Sequence, residues 1–302
     1  MLHSPLSPLT GAYAGYVSNP HELLSCTSGG IATALGRHML SLGGYVAGVS
    51  YSEDFYSARY EIIRDEAGLE KLKGSKYIEV KKGSIYRDVR TLLEENKQVL
   101  FFGLPCAIAA LNASLGREYP NLVTAALICH GPTYAEVHRQ FVAHLEQTFG
   151  TTVADFTVRR KAEGWTPAYL HARFADGQVY QEKFDATPYG HAFRLLSKKG
   201  CYTCPFRKQP RQWDLTIGDF WGAEETDPCW NRDGVSAILT HTQRGLTFLM
   251  ETPDIRLFEA SPERIVEGNP CLVQDRCPKP QREAFLRLLR QQGLWEASRQ
   301  LR

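Results

Sequence analysis

No stretch of this 302-residue sequence is long and apolar enough to span a membrane as a helix. The longest apolar run, Val99 to Leu111, is interrupted by Gly103 and Pro105 and falls short of the ~18 residues a spanning segment needs. Charge of one sign is also lacking. There are 35 Lys and Arg against 33 Asp and Glu, a formal net charge of +2, so composition gives no nucleic-acid footprint. Eight cysteines are too few for a disulfide-stapled secreted module of this length. The nine histidines include no H-x-x-x-H pair. Neither a P-loop nor a G-x-G-x-x-G fingerprint is present, and no repeat or low-complexity tract is visible. The first twenty residues lack a basic start followed by an apolar block, so no signal peptide is expected. The chain is read as cytoplasmic, where thiols stay reduced and available to metals.

The composition is 43% apolar, ample for a core of one large α/β unit or roughly two domains. Residues 1–20, with three prolines and three serines, read as an extended N-terminal arm. Thr27-Ser28-Gly29-Gly30 opens a helical pattern that runs to Leu40 and stops at Gly43-Gly44, as helix ends prefer. Tyr45 to Ser50 and Tyr60 to Arg64 read as strands, and Ile85 to Glu95 as an amphipathic helix. From 97 to 149, buried-strand runs (Val99–Phe102, Leu122–Ile128) alternate with helices (Ala107–Leu115, Tyr134–Phe149). This is the pattern of βαβ units and a parallel sheet. After 151 the texture is β-rich, with a hairpin signal at Asp176-Gly177. The expected fold class is α/β: a mixed, partly parallel central sheet flanked by helices, with an additional antiparallel β-rich portion. The expected regions are 1–20 (arm), 21–96 and 97–279 (two α/β regions) and 280–302 (an amphipathic helix with five arginines against two glutamates, read as a solvated face).

Four cysteines stand at positions suited to a metal centre. Cys201 and Cys204 form a C-x-x-C pair followed by Pro205. Cys106 follows a predicted strand and opens a helix, where the helix dipole favours thiolate. Cys129 ends the second buried run. In a parallel sheet Cys106 and Cys129 share the carboxyl edge, where α/β proteins bind ligands. Four thiolates suit an iron–sulfur cluster or zinc equally, and a lone apolar-flanked cysteine such as Cys129 is commonly a core thiol. Cys229, Cys271 and Cys277 have no partner spacing and read as free thiols. Thr27-Ser28-Gly29-Gly30 is a candidate anion cradle, with an ordinary N-cap as the plain alternative. Asp219, at a strand end beside two aromatics, reads as a ligand-binding carboxylate or a turn cap.

In order along the chain, Ser28-Gly29-Gly30 with Thr33-Ala34-Leu35, Gly74-Ser75-Lys76-Tyr77, Gly103-Leu104-Pro105-Cys106, Cys129-His130-Gly131, and Cys201-Tyr202-Thr203-Cys204 with Ile217-Gly218-Asp219-Phe220-Trp221-Gly222 resemble five elements of the coenzyme F420 hydrogenase/dehydrogenase beta-subunit family. The last of them is closest in wording to a bacterial, polysaccharide-associated branch. The resemblance implies an iron–sulfur flavoprotein oxidoreductase. It would pass electrons between a 4Fe-4S cluster, held by Cys106, Cys129, Cys201 and Cys204, and FAD, contacted by Thr27, Ser28, Gly29, Gly30, Thr33, Ser75, Lys76 and Tyr77. By the same resemblance, region 21–96 would bind the flavin and region 97–279 the cluster. Lys76 is the expected partner of the anionic reduced flavin, and Asp219 or His130 the proton handlers. Many relatives carry an N-terminal ferredoxin-like stretch; this sequence begins without one. A single cluster is therefore expected, with an external donor such as ferredoxin or reduced deazaflavin and a small-molecule substrate. A homo-oligomer or a larger redox complex is compatible with this reading. Two alternatives stand beside it: an electron-transfer subunit of a larger complex, and a non-redox protein held together by zinc.

Overall fold

The computed structural model describes residues 6–301. Its strands, in chain order, are β1 (Gly11–Val17), β2 (Tyr45–Tyr51), β3 (Ala58–Ile63), β4 (Val99–Gly103), β5 (Leu122–Leu127), β6 (Val153–Arg160), β7 (Tyr169–Phe174), β8 (Val179–Lys183), β9 (Leu215–Asp219), β10 (Ser236–Thr240) and β11 (Ile255–Glu259). The helices are α1 (Pro20–Ser25), α2 (Ile31–Ser41), α3 (Glu66–Leu72), α4 (Ile85–Glu94), α5 (Pro105–Leu115), α6 (Ala135–Phe149), α7 (Pro188–Leu195), α8 (Gln243–Glu251), α9 (Pro262–Gly268), α10 (Arg282–Gln292) and α11 (Leu294–Gln300). Among the described residues, no helix is long and apolar enough to cross a membrane.

Eight strands form one sheet in the order β11-β1-β10-β9-β5-β4-β2-β3. Its centre is parallel: β2 pairs with β4, β4 with β5, and β5 with β9. Both flanks are antiparallel. The fold class is therefore the α/β arrangement the alternating pattern predicts, with a separate antiparallel sheet β6-β7-β8. Side chains alternate across the large sheet because successive Cβ atoms point to opposite faces. Val46, Leu100 and Val123 pack with Ile31, Leu35 and Met39 of α2 on one face. Ala47, Phe101 and Ala126 pack with Val89 of α4 and Ile108 and Leu111 of α5 on the other. Each large apolar side chain buried this way contributes about 1.5–3 kcal/mol.

The small sheet has its own core with α6, α7, α10 and α11, built around Phe141, Phe174, Tyr189 and Phe285. Three features depart from the sequence reading. Residues 11–17, inside the segment read as an arm, form an interior strand between β11 and β10. Its small residues Ala12 and Ala14 are buried, so weak hydrophobic patterning concealed a strand. The 280–302 segment divides into two helices at Gly293, whose φ is +88°. Within it, Arg282 is not part of a solvated face: it is 2% exposed and donates to Ser197 O and the Tyr134 hydroxyl.

Candidate functional site

The parallel strands deliver their chain ends to one edge. Cys106 lies in the first turn of α5, just beyond β4, and Cys129 lies two residues beyond β5. Asp219 closes β9. Cys201 ends the short 3-10 turn Lys199–Cys201, and Cys204 stands immediately before a second one, Pro205–Arg207. Crossover connections between parallel strands leave this edge open to loops from distant parts of the chain, and such edges gather ligands.

The four thiols sit close enough to sense one another's charge. Cys106 responds to Cys204, Cys129 to Cys106 and Cys201, and Cys201 to Cys106 and Cys204. Burial pushes Cys129 up to about 12, only partly offset by the Gly131 N–H, which donates to its Sγ at 3.2 Å. Burial also raises Cys201. The expectation that a helix start depresses Cys106 is corrected by the structure. The thiol is raised, because desolvation outweighs the pull of Lys82 and of the first-turn N–H groups. The Cys129-His130-Gly131 turn is fitted to its neighbour: Gly131 has φ +101°, and a Cβ there would stand 2.8 Å from Cys201 Cβ. Among the described residues, no group of three or more His, Cys, Asp or Glu is arranged to hold a metal ion.

A fifth sulfur joins this neighbourhood. Cys271, which spacing alone left as a free thiol, adds its charge to Cys129 and lies 3.5 Å from His130 Nε2. Cys229 lies elsewhere, in a core with Phe220 and Ile265. His130 itself is held toward its neutral form by burial and by Arg276 and Arg207, against the pull of Asp219.

From Asp219 a polar seam leads away from the thiols. Arg159 Nη1 donates to Asp219 Oδ2 at 2.5 Å, and Trp165 Nε1 donates to Oδ1 at 3.0 Å. Arg159 also lies within electrostatic reach of the Tyr77 hydroxyl. Burial of Arg159 disfavours its charge, yet Tyr77 and Asp219 hold it firmly protonated. Burial raises Tyr77 despite that guanidinium, and its ring stacks on Phe193 at 4.4 Å. The 74–80 segment is stitched to the loop after Cys129: Thr133 N donates to Tyr77 O and Glu79 N to Thr133 O. The G-S-K-Y and C-H-G elements are therefore neighbours in space.

Lys76 turns the other way. Its ammonium donates to Leu72 O at 2.9 Å, Lys73 O at 2.5 Å and Gly74 O at 3.1 Å, where it clamps the end of α3. Burial brings it down to about 7.

The glycine-rich turn packs against the start of β10. Gly29 N donates to Ser236 Oγ at 3.0 Å, and Ser28 Oγ to Val235 O at 3.1 Å. A Cβ on Gly29 would press on Gly15 O and stand 2.6 Å from Ser236 N. Gly30, at φ +82°, heads α2 with no side-chain cap, so the first-turn N–H groups keep the positive end of the helix available. Thr33 Oγ1 lies 3.4 Å from Cys26 Sγ. Lys161 Nζ secures the turn by donating to Leu23 O at 2.6 Å and Ser28 O at 2.7 Å. Burial lowers Lys161 to about 8, and Asp219 is among the groups that act on it.

Arg159, Lys161 and Trp165 were not singled out from the sequence. The signal was Arg159-Arg160-Lys161, three successive cations at the end of a strand, which an isolated reading takes as solvated. Beside the seam, Trp165 stacks on Trp221 at 4.6 Å, and both line a cleft of about 390 Å³ with Trp230 and Asn231.

The family described as the C terminus of the coenzyme F420 hydrogenase/dehydrogenase beta subunit matches residues 96–264. No curated protein matches the chain. Among solved structures, a chain of the F420-reducing [NiFe] hydrogenase complex from Methanosarcina barkeri, studied by xenon derivatization, has a similar fold. The TM-score is 0.61 at 16% identity, over 90% of this chain and 92% of that one.

Proposed function

Because the chain belongs to the coenzyme F420 hydrogenase/dehydrogenase beta-subunit family, and so is a redox protein of the hydrogenase/dehydrogenase kind, we propose that it is an iron–sulfur flavoprotein oxidoreductase. Its cluster ligands are Cys106, Cys129, Cys201 and Cys204. The observation that supports this reading is the arrival of four cysteines, remote in sequence, at the carboxyl edge, where the Cys129-His130-Gly131 turn packs on Cys201 and where Cys106 and Cys204 lie within reach of its charge. Four thiolates are the donor set of a cuboidal cluster; in such a cluster each would take its own iron, so its ligands stand further apart than the roughly 3.8 Å expected around one tetrahedral zinc ion with 2.3 Å bonds.

We assign FAD to Thr27, Ser28, Gly29, Gly30, Thr33, Ser75 and Tyr77. The uncapped start of α2 suits a phosphate or carbonyl, and Lys161 holds that turn in shape. When bound, the cluster and the flavin would supply one-electron storage and hydride chemistry respectively. The chain's own residues do the rest. Arg159 fixes Tyr77 and Asp219 relative to each other. Asp219 and His130 are the groups placed to take or give a proton near the thiols. Lys76 is assigned to holding the 74–77 turn rather than to the chemistry. The cleft beside Trp221 offers a flat, half-exposed ring for a small organic substrate.

Anaerobically isolated protein should carry about four irons and one flavin per chain. Cys106→Ser should lose the iron and Cys229→Ser should keep it. A colourless protein holding stoichiometric zinc would overturn the reading. A second reading, as one subunit of a larger redox assembly, is favoured by the likeness to a chain of a hydrogenase complex. Native mass measurement on protein purified from its source distinguishes the two.

A further inference from the structure

Positive charge collects around the four thiols. From Ala186 to Trp213 the sequence has no Asp or Glu and six Lys or Arg, and Cys201 and Cys204 lie inside this run. The fold adds more: Lys82 acts on Cys106, Lys198 and Arg207 on Cys201, and Arg276 and Arg207 on His130.

These cations are of two kinds. Arg207 and Arg211 are buried, and their guanidinium groups are committed to backbone carbonyls of Cys271, Tyr202, Phe206 and Leu272. They hold the loops together. Lys82, Lys199 and Lys208 are exposed. Lys208 is paired with Asp275, and the less exposed Lys198 with Glu79. Among the described residues, no carboxylate lies within ion-pair distance of Lys82 or Lys199. Inside this rim Cys106 and His130 are themselves exposed. Unpaired lysines on a rim that already carries buried arginines add repulsion to the folded state and hold no loop in place. Their field is directed outward, into solvent, around the thiol nearest the surface.

We propose that this rim, with Lys82 beside the exposed Cys106 and the exposed Lys199 on the turn that carries Cys201, is the docking face for a small acidic electron-carrier protein. The inference rests on the reading of the thiols as ligands of a redox group, and it names the face and charge of the partner. Electron exchange needs close approach to the group, and Cys106 marks the short route from the surface. A positive rim captures a negative partner by steering its approach, and it fixes orientation more than it adds affinity. The other basic surface, Arg287 and Arg290 on α10, belongs to the helical layer of the small sheet and serves as the control.

The test titrates the holoprotein with an oxidised, acidic two-iron plant-type ferredoxin, followed by calorimetry at low and at raised salt. Binding to the unaltered protein should weaken by about ten-fold or more as salt rises. Lys82→Glu/Lys199→Glu should weaken it similarly at low salt, and Arg287→Glu/Arg290→Glu should leave it unchanged. No binding to the unaltered protein, salt-insensitive binding, or equal losses in the two double variants would each overturn the proposal. The salt series on unaltered protein decides the matter even where a variant fails to fold. Iron and flavin content of the same samples reads the function separately. Ferredoxin binding by a protein without either cofactor would sink the function and leave the docking face standing.

Discussion

Asp219 is the residue on which most of the site's polar contacts meet. It takes one bond from Arg159 and one from Trp165, and its charge reaches His130 and Lys161. The Arg159 side chain is 6% exposed and that of Asp219 16%, so removing one partner leaves a buried charge uncompensated. Asp219→Ala should therefore cost about 3–5 kcal/mol, read as a lowered urea midpoint. Pairing it with Arg159→Met should recover much of the loss, because the stranded guanidinium goes too. A single variant within about 0.5 kcal/mol of the parent would show that the pair is not a buried linchpin. Gly131 gives a second expectation. Alanine there meets both a strained φ and the Cys201 Cβ, so Gly131→Ala should lower iron uptake while circular dichroism stays near that of the parent. Unchanged iron content would mean that the turn can shift away from the Cys201 loop.

The glycine-rich turn acts as a wedge between β1, β10 and α2. Val17 N donates to Gly29 O, and Gly29 N to Ser236 Oγ, which ties the turn to both strands. Gly29→Ala should spread β1 from β10 and cost about 1–3 kcal/mol, the usual price of overpacking. Hydrogen exchange should show the loss first in residues 11–17 and 236–240, and protection unchanged there would count against the wedge. For α3 the decisive contact is Lys76. Lys76→Met removes a charged donor from the last carbonyls of the helix, a loss of about 1.5–3 kcal/mol. It should raise exchange in residues 66–80, with α6 unaffected.

The two sheets are joined where function is proposed. Strand β6 of the small sheet carries Arg159 one residue before its end, and this arginine reaches Asp219 at the end of β9 in the large one. From the other side, Arg282 of α10 grips Ser197, just ahead of Cys201. Global stability should also depend on pH through His138 and His241, which burial holds down at about 4. Each is neutral in the folded chain, while an unfolded histidine titrates near 6.5. Their contribution is thus complete above pH ~6.5 and is lost as pH falls toward 4, up to about 3 kcal/mol apiece at 1.36 kcal/mol per unit. Denaturation midpoints at pH 7, 5.5 and 4.5 test this, and His138→Gln should flatten the curve. An identical slope in that variant would point to other groups.

Local pattern was enough for β2, β4, β5, α2, α4, α5 and α6, because hydrophobic period and glycine or proline punctuation are written within a dozen residues of each position. It was enough, too, for the ordered motifs that mark the family and for the parallel centre of the sheet. The small residues of β1 carried no such period, and pairing with two neighbours made them a strand. Nor does spacing say that Cys271 lies beside Cys129, that Arg159 meets Asp219 across two sheets, or that Lys76 points back into α3. Those depend on which distant surfaces come together at the carboxyl edge. Local chemistry there is also outweighed: the pull of the helix start on the Cys106 thiol is smaller than the desolvation that loops from distant parts of the chain impose, although the residue keeps an exposed side.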